Sequence, residues 1–121
     1  MLTRGIDMHP DIAKANDLLE SHSYSEALRL VQPLASVGLP DALALLGIMY
    51  QIGLGVAPDA IKAVELLSRA VEAGVGVAAH NLGTIYAAGM PGVAADYERS
   101  RAYYRKAKAL GCQPAPDAFY E

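Results

Sequence analysis

Leu46-Gly47-Ile48-Met49-Tyr50 and Leu82-Gly83-Thr84-Ile85-Tyr86 are two versions of one pentad, 36 residues apart. The register holds on both sides of them. Gly53 falls on Gly89 at the same offset, and beyond it Gly55, Val56 and Asp59 fall on Gly92, Val93 and Asp96 at 37, so one residue is inserted in the second loop. Further along, Leu66-Leu67 meets Tyr103-Tyr104, Ala70 meets Ala107 and Gly74 meets Gly111, while a step backward of 36 carries Ala63 and Gly74 onto Ala27 and Gly38. A period of this length is what stacked helix pairs leave in a sequence, because one pair can bury its apolar face only against the next.

Each unit reads as two helices. In the central unit the first begins at Pro40-Asp41 and stops at Gly53, with Ala42, Leu46, Met49 and Tyr50 on an apolar face. Its partner follows Pro58, with Asp59 as the cap, and runs through Ile61, Val64, Leu67, Ala70 and Val71 to Gly74. The next unit repeats the plan from Val77 to Ala88 and from Asp96 to Leu110. In the first unit Pro10 marks a helix start, Ser23 with Glu26 reads as a capping box, Gly38 is the stop, and Pro33 is expected to kink or shorten the last helix. The absence of a side chain at Gly47 and Gly83 lets the second helix approach closely, with Ala63, Ala70 and Ala107 as the surface that receives them. The expected fold is all-α, a short right-handed solenoid of antiparallel helix pairs. Residues 1–121 form one helical-repeat domain, divided into a divergent first repeat or N-terminal cap (10–38), repeats at 40–74 and 77–111, and a tail at 112–121.

The chain is 121 residues long, 53% hydrophobic and 19% charged, which is a globular composition and not a disordered one. A formal net charge of -3 offers no global positive field for nucleic acid or an anionic membrane, so neither is an expected partner. Cys112 is the single cysteine, which excludes an intramolecular disulfide and a thiolate metal cluster. The N-terminal stretch with Arg4, Asp7 and His9 has no apolar run of signal-peptide length, and a cytoplasmic location is expected for the chain as given. Leu43 to Ala57 is almost free of charge but falls short of the roughly 20 apolar residues that span a bilayer.

Chemistry finds no foothold in the pattern. His9, His22 and His80 are scattered without carboxylate or cysteine at ligand spacing, so no metal or other cofactor is expected. Gly53-x-Gly55 follows a helix and lacks the lysine of a phosphate-binding loop. Cys112 has no histidine or acid beside it in sequence. The expectation is a protein that catalyses nothing itself. In the last helix Arg99, Arg101, Arg105, Lys106 and Lys108 alternate with Tyr103 and Tyr104, a pattern that hints at nucleic acid. The tyrosines fall on core positions of the repeat, however, and basic residues suit a helix C-terminus. Arg101, Arg105 and Lys108 are therefore a candidate patch for an acidic protein segment.

From Asp41 to Gly111 the chain resembles Sel1-like repeats, relatives of tetratricopeptide repeats with a longer, glycine-containing turn. The likeness is carried by Ala78-Ala79-His80-Asn81-Leu82-Gly83-Thr84-Ile85-Tyr86, by Asp96-Tyr97-Glu98-Arg99 through Tyr103-Tyr104-Arg105-Lys106-Ala107, and by Gly53-Leu54-Gly55-Val56, Asp59, Lys62-Ala63 and Ala70. Leu66-Leu67 depart from it, standing where the family usually has aromatic residues. The first unit departs further, with no glycine before Ser23. The resemblance implies an adaptor, scaffold or inhibitor-type protein that binds another protein or a peptide.

In such stacks the first helices line the concave side. Counting three or four residues either way from Gly47 and Gly83 gives a candidate groove of Ala44, Ile48 and Gln51 in one repeat and His80, Thr84 and Ala87 in the next, with Asn16 extending the row. The tail, with Pro114, Pro116, Phe119 and Tyr120, has no helical period and is either unstructured or folded over the open end of the stack. An uncovered end supports a second reading, self-assembly of a structural protein through the C-terminal end.

Overall fold

The glycine stops and acidic caps read from the sequence delimit helices in the structure, a computed structural model that describes residues 8–112. The helices are α1 (Pro10–Glu20), α2 (Tyr24–Ser36), α3 (Pro40–Ile52), α4 (Ala60–Glu72), α5 (Gly76–Ala88) and α6 (Tyr97–Ala109). Asp59 and Asp96 cap the second helices identically, each carboxylate accepting from the backbone N–H three residues on, at Lys62 and Arg99, over 3.0 Å. At the other end α4 stops in a left-handed glycine, Gly74 at φ +91°, and the N–H of Val75 reaches back to the Ala70 carbonyl over 3.0 Å. Gly38 and Gly111 close α2 and α6 in the same way.

The helices pack as three hairpins, α1 with α2, α3 with α4 and α5 with α6, and α3 also meets α2 and α5. The hairpin turns of the last two are closed by the same backbone bond. The Asp59 N–H donates to the Tyr50 carbonyl over 2.9 Å and the Asp96 N–H to the Tyr86 carbonyl over 2.8 Å. The residue inserted in the second loop is taken up by a paired bridge between Met90 and Val93. Together these elements form the all-α helical-repeat solenoid that the period implies.

Gly47 and Gly83 do hold the pairs close, but the alanines are not what they receive. A Cβ on Gly47 would stand 2.7 Å from Cγ of Leu67, and one on Gly83 would stand 2.8 Å from the Tyr104 ring. The large residue at that repeat position fills the space the glycine leaves, while Ala63, Ala70 and Ala107 are fully buried elsewhere in the core. Ser100, 2% exposed, fastens α6 further by donating its hydroxyl to the Gly83 carbonyl over 2.7 Å.

Three local expectations need correction. Ser23 makes no capping bond with α2, because its hydroxyl turns to that of Ser21 at 3.3 Å. Pro33 does not shorten α2, which runs on to Ser36 and equals α4 and α6 at thirteen residues, with Val31 and Ala35 buried on either side of it. Finally, α3 has no single apolar face: every residue from Asp41 to Met49 is buried, because α2, α4 and α5 surround it.

Candidate functional site

The surrounded position of α3 decides which of the candidate groove residues can meet a partner. Ala44 is fully buried and Ile48 is 3% exposed, so both belong to the core and not to a groove. Asn16, at 7%, is also inside, where its amide donates to the sulfur of Met8 over 3.6 Å. The physical reason is cover and not helical phase: α2, α4 and α5 all pack on α3, so positions open on a less enclosed helix are closed here. Gln51 lies beyond the covered stretch and is half-buried, its carbonyl oxygen accepting from the Asn81 amide over 3.0 Å and so tying α3 to α5.

On α5 the same repeat positions reach solvent. Thr84 and Ala87 are exposed and His80 is half-buried, whereas Ile48 and Ala44, the counterparts of Thr84 and His80, are buried on a helix that has neighbours on three sides. Tyr104 is the anchor of this surface. Its hydroxyl shares a hydrogen bond of 3.1 Å with that of Thr84, and its ring lies 5.3 Å from the imidazole of His80. Burial lowers the pKa of His80 below its ordinary value, since the charged imidazolium loses its hydration there. Arg101 and Lys108 stand three before and four after Tyr104 on α6, so helical geometry puts them on its side, with Arg105 next to it. One candidate set thus touches Tyr104 directly, and the other occupies the turns of α6 on either side of it.

A second set of residues recurs without having been singled out. Lys62, three after the Asp59 cap, holds its ammonium 5.0 Å from the centroid of the Tyr50 ring, and Arg99, three after the Asp96 cap, holds its guanidinium 5.1 Å from that of Tyr86. The Tyr86 hydroxyl also accepts from Arg99 over 3.4 Å. The register carries this signal, since cation and tyrosine recur together in both units. Beside each pair a cleft opens, one of about 500 Å³ over Tyr50 and one of about 530 Å³ by Tyr86, Ile61 and Val64.

Among the described residues, no three His, Cys, Asp or Glu side chains gather as a metal-binding group, and no helix is long and apolar enough to cross a membrane. Burial pushes the Cys112 thiol up, away from the thiolate that nucleophilic chemistry requires. His9 serves α1 by accepting from the Asp11 N–H over 3.0 Å. The residues of the tail from 113 onward, including Pro114, Pro116, Phe119 and Tyr120, lie outside the described residues.

Compared with known proteins, the chain matches the Sel1 repeat family twice, over residues 40–75 and 76–112, which takes in α3 to α6. Its fold is similar to that of a Sel1 repeat protein from Oxalobacter formigenes, with a TM-score of 0.73 and 27% identity over 84% of this chain and 40% of that one. It is similar also to a protective antigen present in uropathogenic Escherichia coli strains that displays an SLR fold, with a TM-score of 0.72 and 30% identity over 84% of this chain and 22% of the antigen. The chain therefore spans less than half the length of either. No curated protein matches the sequence. Two contiguous family repeats, with the glycine contacts, caps and turns that build them, identify the chain as a member of the Sel1 repeat family.

Proposed function

We propose that this chain is a protein-interaction module, an adaptor, scaffold or inhibitor-type partner, that takes a segment of another protein on its first-helix side. Sel1 repeats generally mediate protein–protein interactions, and the repeat is a scaffold and not a catalytic fold. The observation that supports the finer reading is the pair of contacts that Tyr104 makes with α5. The side chains of Thr84 and His80 reach it from α5, and Arg101, Arg105 and Lys108 flank it on α6. Gln51 and Ala87 extend the same surface. Three cations with Glu98 as the neighbouring acid favour an acidic segment, and the alternation of small, aromatic and basic groups suits a peptide strand or one helix face.

The alternative is self-assembly through the C-terminal end. The register weighs against it, because the outer positions of the last repeat are polar where those of the preceding repeat are apolar. Thr84 replaces Ile48, Arg101 replaces Val64 and Lys108 replaces Val71. A like repeat stacked there would have to desolvate charge.

The test is a calorimetric titration of the protein that co-purifies with the wild type. Ala87→Glu, at an exposed position, and the pair Arg101→Ala with Arg105→Ala should each weaken binding while helicity is kept. Undiminished affinity in both rejects this surface. A mass that rises with concentration and ignores both variants favours self-assembly.

A further inference from the structure

We propose that the cleft over Tyr50 is a second docking site, which receives an aromatic side chain of a partner protein flanked by acidic residues. The repeat that follows shows what stacks on the corresponding tyrosine, although a cleft opens beside that one too. There Tyr103 stacks on Tyr86, ring centroids 5.8 Å apart and planes within 5°, and Tyr86 is left 7% exposed beneath it and Arg99. The register places Leu66 where Tyr103 stands and Tyr50 where Tyr86 stands. Lys62 keeps its place over the Tyr50 ring, but Leu66 has no ring to stack on it. Tyr50 remains half-buried, and a cleft of about 500 Å³ opens above it, floored by Leu46 and Leu66 and walled on the α2 side by Pro33.

That volume falls in the range of about 300–1,000 Å³ in which proteins hold small ligands, so one aromatic ring fits. An offset-stacked ring in this position gains the aromatic pairing that the chain supplies for itself in the next repeat. The rim selects the flanks. Lys62 and Arg69 stand on α4 with Glu65 between them, two cations against one acid, so acidic neighbours of the incoming ring are favoured. This cleft lies between α2 and α4 and shares no residue with the α5 and α6 surface around Tyr104, so either site can fail without the other.

The probe is a short capped peptide with one tyrosine between pairs of glutamates, titrated into the full chain by NMR and calorimetry beside a version with alanine in place of the tyrosine. The tyrosine peptide is expected to shift the signals of Tyr50 and Leu66 and to bind at least tenfold more tightly than the alanine version. Leu66→Tyr, which rebuilds the internal stack, is expected to fold and to lose at least tenfold in affinity. Tyr50→Leu provides a second variant that removes the stacking partner without filling the cleft, with the same loss expected. No binding at about 1 mM peptide, equal binding of the alanine peptide, shifts confined to α5 and α6, or unchanged affinity in folded Leu66→Tyr or Tyr50→Leu overturns the proposal.

Discussion

Gly83 lies directly beneath the ring of Tyr104, so close that a single added carbon would sit 2.8 Å from two ring atoms. The ring has little room to yield, because its hydroxyl is bonded to Thr84 and the imidazole of His80 packs against it. Gly83→Leu is therefore expected to destabilise the chain by about 1–3 kcal/mol or more through overpacking. Glu98→Ala, at an exposed position on the same hairpin, should stay within about 0.5 kcal/mol. Urea unfolding of both variants checks this, and equal midpoints would show that the close approach is not what holds α6 in place.

The end of α1 offers a change in the opposite direction. His22 sits at φ +63°, the left-handed conformation that glycines adopt at the ends of α2, α4 and α6. The bonding is also alike, with the Ser23 N–H reaching back to the Leu18 carbonyl over 2.7 Å. A side chain in that region carries a steric cost that glycine escapes, so His22→Gly is expected to stabilise by about 1 kcal/mol, less the glycine's greater chain entropy. The ring contact of His22 with Tyr24, centroids 5.7 Å apart, is open to water on the His22 side and adds little. Thermal unfolding reads the result, and a lowered midpoint would mean that this contact outweighs the backbone strain.

His80 makes stability depend on acid. Its Nδ1 is buried without a hydrogen-bond partner among the described residues, and desolvation lowers its pKa in the folded chain below the ordinary 6.5. The folded state then binds fewer protons than the unfolded one, so stability is whole above pH 6.5 and declines as pH falls from there toward the lowered folded value. The urea midpoint is expected to drop between pH 7.5 and 5.5, and to drop less in His80→Asn, which cannot titrate. Equal slopes in the two proteins would assign the acid sensitivity to other groups.

The architecture was legible because its signals are local and recur. Glycine at each second-helix stop and aspartate at the caps of α4 and α6 impose backbone geometry with no help from the rest of the chain, and an offset of 36 or 37 repeats them. The candidate surface was less legible because it depends on what covers each helix. Gly47 and Gly83 give the phase of α3 and α5, yet the same position is core in one and surface in the other, since α3 is enclosed by α2, α4 and α5. The capping box at Ser23 failed for a similar reason: a hydroxyl two residues away competes for the same atom. The tyrosine–cation pairs were within reach of the register, but they join different helices, and only their joint recurrence marks them.

Ile48 and Thr84 put that difference to the test, since they hold one repeat position in two environments. Ile48 is 3% exposed between α3 and its neighbours, and Thr84 is exposed on α5. Glutamate at Ile48 would be a buried charge without a partner, at a cost of about 3–5 kcal/mol. Glutamate at Thr84 would lose one hydrogen bond to Tyr104, a cost of about 1 kcal/mol, and would otherwise face water. Because a domain of this size has only about 5–15 kcal/mol of stability, Ile48→Glu is expected to leave a chain that unfolds on mild heating, while Thr84→Glu keeps its helicity. A loss of partner binding in Ile48→Glu would therefore report unfolding, whereas a loss in Thr84→Glu would report contact. Circular dichroism melts of the two, run beside the titrations, separate these meanings, and similar melting temperatures would place Ile48 on the surface after all.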